Sequence, residues 1–94
     1  MDFEWNEQKN RSNLAKHGIA FEDATGVFDD PLQLSEPARS VGAEARQLVI
    51  GRVNTATLSV VYTTRGQTSD GEALVRIISA RPASKKERQK YAGQ

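Results

Sequence analysis

Two arginines in one short apolar run carry the first chemical signal. Arg76 interrupts Leu74-Val75 and Ile77-Ile78, and Arg81 closes the same run. A guanidinium stays charged and offers a planar fork of donors that matches phosphate oxygens. Each arginine is therefore either a phosphate ligand or half of a salt bridge to an acid elsewhere in the chain. In a regular strand the two, five residues apart, point to opposite faces, whereas a bulge or the Pro82 step would re-aim them. Arg52 and Arg65 stand at the ends of other β-like runs, within reach of a groove. Lys16-His17-Gly18 places a base and an imidazole at the end of an expected helix. The negative helix terminus alone explains them, yet histidine is also the usual general acid or base. Tyr91 lies in a basic tail with Lys85, Lys86, Arg88 and Lys90, where it either contacts a nucleic acid or pins its own helix. Trp5 is either a packing anchor or a stacking platform.

Composition removes several chemistries. The 94 residues contain no cysteine, which excludes disulfides, thiolate zinc sites and a cysteine nucleophile. One histidine excludes a multi-histidine metal centre within the chain. Neither a glycine-rich phosphate loop nor a nucleophile elbow is present. The acidic start Met-Asp-Phe-Glu-Trp lacks the layout of a signal peptide, and no apolar run approaches a membrane span. A cytoplasmic protein without metal or cofactor is expected. The formal charge of +1 conceals an asymmetry: residues 1–45 hold nine acids and four bases, and residues 46–94 hold nine bases and three acids. That split suggests one surface suited to a polyanion.

The elements that must position these groups follow from local patterns. Phe3-Glu4-Trp5 reads as a short strand or an extended anchor. Asn6 is a candidate cap for a helix over Glu7–His17 that Gly18 stops, and Phe21–Phe28 repeats apolar residues at helical spacing before Asp29-Asp30-Pro31 breaks it. Residues 32–45 suggest the beginning of a strand followed by a loop. Arg46–Val53, Thr57–Thr64 and Ala73–Ala80 are branched runs bounded by turn signals, predicting an antiparallel meander. Ser84 and Glu87 form a capping box that opens a terminal helix to about Tyr91. The expectation is a single α+β domain over 1–94: two N-terminal helices, a mostly antiparallel four-stranded sheet and a C-terminal helix.

Taken in order, Phe3-Glu4-Trp5-Asn6, Lys9, Asn13, Lys16-His17-Gly18, Phe21, Phe28-Asp29-Asp30-Pro31, Gly51-Arg52, Val61-Tyr62-Thr63 and Arg76-Ile77-Ile78-Ser79-Ala80-Arg81 form a specific set. With Ala83-Ser84-Lys85-Lys86-Glu87-Arg88 and Tyr91, they resemble the BrnT-type toxins, the ribonuclease half of a type II toxin–antitoxin pair. Asn6 stands where aspartate is common, and the Gly66–Gly71 segment is longer than the pattern. The resemblance implies a RelE-like fold and metal-independent RNA cleavage that arrests growth. It also implies neutralisation by a BrnA-type antitoxin, as a heterotetramer that meets DNA only through the antitoxin. Under it, Arg81 and Arg76 would stabilise the phosphate charge as the ribose 2′-OH attacks, and His17 or Tyr91 would move protons. Lys16, Arg52, Arg65, Lys85 and Arg88 would grip the RNA. The alternative is a non-catalytic nucleic-acid- or antitoxin-binding module acting in operon repression.

Overall fold

A computed structural model describes residues 1–94. Helix α1 spans Glu7–His17. The Asn6 side chain accepts from the Lys9 backbone N–H at 3.0 Å, and Gly18 closes the helix in the left-handed region at φ 73°. Both ends therefore follow the sequence signals. Helix α2 covers only Phe21–Ala24 and tightens into a 3₁₀ turn over Thr25–Asp29, which corrects the single helix expected through Phe28. The tightening brings Val27 onto the sheet so closely that a Cβ at Gly51 would stand 3.0 Å from the Val27 Cβ. Only glycine fits beneath that turn.

The sheet has five strands rather than four: β1 (Asp2–Glu4), β2 (Leu34–Val41), β3 (Glu44–Val53), β4 (Ala56–Gln67) and β5 (Ala73–Pro82), ordered β1-β5-β4-β3-β2. The β2–β5 meander is antiparallel, and β1 adds in parallel to β5 through Asp2↔Leu74 and Glu4↔Arg76. The fold is α+β with a mixed sheet. Strand β2 replaces the expected loop because an outermost strand tolerates Pro37, whose missing N–H a central strand would need. No local pattern could reveal β1's partner, which lies at the far end of the chain. The β3–β4 turn uses Asn54 at φ 56°, a conformation asparagine accepts readily.

One face of the sheet forms the core, where Val49, Leu58, Val60, Val75, Ile77 and Ala80 meet Phe21, Ala24 and Val27. Register places Ile50, Ser59 and Arg81 on the other face. There Ile50 is fully buried, and helix α3 (Lys85–Ala92) packs across β3 without burying a residue of its own.

Two polar side chains finish the sheet where its flanking strands run out. Beyond the three-residue β1, the Asn13 amide accepts from the Ala80 N–H at 3.2 Å and donates to the Ala80 carbonyl at 2.8 Å. Beyond the start of β2, the Asp30 carboxylate accepts the Arg52 N–H at 2.8 Å. Each satisfies backbone groups that would otherwise be orphaned. No helix is long and apolar enough to cross a membrane.

Candidate functional site

The two arginines of β5 share one face of the sheet because the strand is irregular. Val61 pairs with Ser79 but Tyr62 pairs with Ile77, so Ile78 is an extra residue on β5. This bulge reverses the alternation between its two sides. Arg76 stands opposite Thr63 and Arg81 opposite Ser59, and both partners face the same way along β4. The regular-strand expectation of opposite faces is thereby corrected, and the bulge route is the one taken.

Each arginine is held by a carboxylate. Arg76 Nη1 lies 2.7 Å from Glu4 Oε2, across the β1–β5 pairing. Arg81 grips Glu87 with both terminal nitrogens, Nη1 to Oε1 at 2.7 Å and Nη2 to Oε2 at 2.9 Å. Glu87 also accepts from the Ser59 hydroxyl and the Ser84 backbone N–H, both at 2.8 Å. Arg81's hydrogen bonds lead the forces on this carboxyl. They outweigh burial and hold its pKa down at about 2. The same hydrogen bonds raise the arginine's already high pKa. The resulting group is a permanent ion pair on the sheet's second face, beside Lys85 and Lys86 in the first turn of α3.

A model of the family described as "Ribonuclease toxin, BrnT, of type II toxin-antitoxin system" matches residues 5–87. The chain belongs to the BrnT toxin family. Its members are ribonuclease toxins, and a toxin of a type II system works with an antitoxin partner. No curated protein matches the chain. The BrnT match includes Arg76, Arg81, Ser59, Glu87 and His17, and stops before Arg88 and Tyr91.

The other residues singled out in the sequence fall into separate groups. Tyr91 donates its hydroxyl proton to Asp30 at 2.5 Å, which raises the phenol's pKa and ties α3 down. Arg52 joins that group through its backbone N–H. Asp30 itself is raised by burial but lowered more by hydrogen bonds from Tyr91, Leu32 and Arg52, so it remains a carboxylate. Arg65 lies elsewhere, 3.8 Å from Glu44, which also binds Arg46 at 3.0 Å. That trio borders a cleft of about 420 Å³ lined by Gln47, Thr63, Thr64 and Arg65, where β3 and β4 run on past their last pair, Gln47↔Tyr62. Arg88 donates to the Ala83 carbonyl at 2.7 Å. Lys16 and His17 make no hydrogen bond to the arginine face; they end α1, whose Asn13 grips Ala80, the neighbour of Arg81. No group of three or more histidine, cysteine or carboxylate side chains comes together.

Sequence reasoning missed four residues that build the site, the first being Glu4, the partner of Arg76. Glu87 was legible as half of a capping box, and that box is present, but its reach to Arg81 was not. Ser59 reads as one polar position in a branched strand. Asn13 carried no signal of burial, because helix periodicity marks apolar rather than amide side chains.

Proposed function

We propose that the chain is a single-domain, RelE-like endoribonuclease that cleaves RNA in the cytoplasm without a metal or other cofactor, and so arrests growth. The observation that carries this reading is that the Ile78 bulge puts Arg76 and Arg81 on the same sheet face. Attack by a ribose 2′-OH on the adjacent phosphodiester builds charge on the phosphorane oxygens, and preorganised guanidinium donors are suited to that charge. Arg81 and Arg76 take this role, with Lys85, Lys86 and Arg88 steering the backbone. Arg52, Arg65 and Lys16 are outlying grips on a longer strand. His17 is the stronger proton carrier of the two candidates. It lies one turn beyond Asn13 on the same helix face, and Asn13 is bonded to the residue before Arg81. Tyr91 already donates its hydroxyl hydrogen bond to Asp30, and its raised pKa keeps the phenol protonated, a weaker acid with no phenolate available as a base near neutral pH.

A BrnA-type antitoxin would neutralise the enzyme most simply by covering Arg76 and Arg81, within a heterotetramer that reaches DNA through the antitoxin alone. A complex leaving both arginines open contradicts that placement. The second reading is a non-catalytic module for operon repression. It draws support from the carboxylate already on each arginine.

The test is a gel assay on a long single-stranded RNA in EDTA, with Arg81→Ala as control. Cleavage by the wild type alone supports the ribonuclease. No cleavage by either turns the reading to a ribosome-dependent or binding-only protein, and equal cleavage by both removes Arg81 from the site.

A further inference from the structure

The Arg81–Glu87 contact is unusual in what it leaves free. Glu87 occupies the end of the guanidinium, taking one hydrogen from Nη1 and one from Nη2. The second Nη1 hydrogen leans to the Pro82 carbonyl at 3.4 Å. Nε–H and the second Nη2 hydrogen donate to no protein acceptor. These two N–H groups share one edge of the planar group and point in parallel, the arrangement that receives two phosphate oxygens.

The anchor is itself anchored. Ser59 and the Ser84 N–H hold Glu87 Oε1 while Arg81 binds both oxygens, and the Glu87 side chain is only 12% exposed against 41% for Arg81. The carboxylate is therefore built in, and the guanidinium is presented. A weakly basic carboxylate of this kind serves poorly as a proton acceptor near neutral pH, which leaves orientation as its contribution. Because the pair is neutral overall, Arg81 would act through aligned hydrogen bonds. The unpaired Lys85 and Lys86 would supply the attractive field.

We propose that Glu87 is the positioning residue of this site, fixing Arg81 so that its free Nε–Nη2 edge receives two oxygens of one phosphate in a single-stranded RNA. The inference deepens the ribonuclease reading and rests on it for the identity of the phosphate.

The test uses the full chain with a single-stranded RNA oligonucleotide methylated at every 2′-oxygen, which cannot be cleaved by 2′-OH attack. Titration should shift the Arg81 Nε–H resonance in side-chain NMR while leaving Arg11 and Arg39 unmoved. Glu87→Gln, nearly isosteric and still able to accept the Ser84 N–H, should weaken binding roughly tenfold to a hundredfold. In an Arg81→Ala background the same change should cost nothing further, since there is no fork left to orient. Ser59→Ala, which removes one support of the carboxylate, should produce a smaller loss in the same direction. A Glu87→Gln effect of equal size in both backgrounds would reduce Glu87 to a helix cap and overturn the proposal. So would an Arg81 Nε–H that ignores the oligonucleotide in the wild type, a result that needs no variant to fold. Should the wild type fail to cleave ordinary RNA while Arg81 still responds, the ribonuclease reading falls and the positioning role stands. Should it cleave RNA while Arg81 stays silent, the positioning role falls alone.

Discussion

Glu87 combines three tasks in one side chain: it caps α3, ties that helix to β4 through Ser59, and holds Arg81. Its folded pKa of about 2 lies below that of an exposed glutamate. A depressed carboxyl contributes stability above its unfolded pKa and loses it as the pH falls toward the folded value. Stability should accordingly be flat near neutrality and decline between roughly pH 4.5 and 2, by about 2 kcal/mol after allowing for the exposure of Arg81. Thermal melts across that range check the prediction, and Glu87→Gln should remove this part of the decline. Tyr91 offers a second residue-scale test. Its hydroxyl bonds Asp30, which keeps two backbone N–H donors if the phenol is lost. Tyr91→Phe should therefore cost only about 1 kcal/mol and leave RNA cleavage near wild type. A loss of cleavage a hundredfold or greater, with the melt preserved, would return Tyr91 to proton transfer.

At the scale of elements, the sheet depends on side chains that stand in for missing strands. Asn13→Ala leaves a buried backbone donor and acceptor at Ala80 without partners. At about 1–3 kcal/mol for each orphaned group, the melting temperature should fall by more than about 10 °C. A drop of only a degree or two in calorimetry would show that another group or water satisfies Ala80. Helix α3 has the opposite character: it buries no residue and is held by Glu87, Tyr91–Asp30 and Lys90–Glu36 at 3.5 Å. An eight-residue polar helix has little stability of its own. Its amides should exchange faster than those of α1, and Tyr91→Phe should accelerate exchange over 88–92 without affecting α1. These marks belong to α3 because the core lies on the other face, with Phe21, Val60 and Ile77.

Across the whole molecule, the charge asymmetry of the sequence is partly spent within the fold. Of the nine bases in residues 46–94, the side chains of Arg46, Arg65, Arg76, Arg81 and Lys90 form ion pairs with carboxylates, and those of Arg52, Lys85, Lys86 and Arg88 form none. Three of these four lie in α3, next to Arg81. RNA binding should then release about four counterions rather than nine. A plot of log affinity against log salt should have a slope of about −3, where full use of the basic half would give about −6. Fluorescence anisotropy at several salt concentrations separates the two.

The sequence by itself determined the helix ends at Asn6 and Gly18, the Ser84–Glu87 capping box, the three-strand meander and the family. Each of these rests on residues close together in the chain or on an ordered pattern of residue types, and such information survives without coordinates. The choice of five strands, the sharing of one face by Arg76 and Arg81, and the union of Ser59, Arg81 and Glu87 were decided by tertiary structure alone. A bulge is one residue of register between two strands, and register depends on how both strands pack. Glu87 meets Ser59 only because α3 folds back over β3 and β4, so its role as an anchor depends on contacts that local pattern cannot encode.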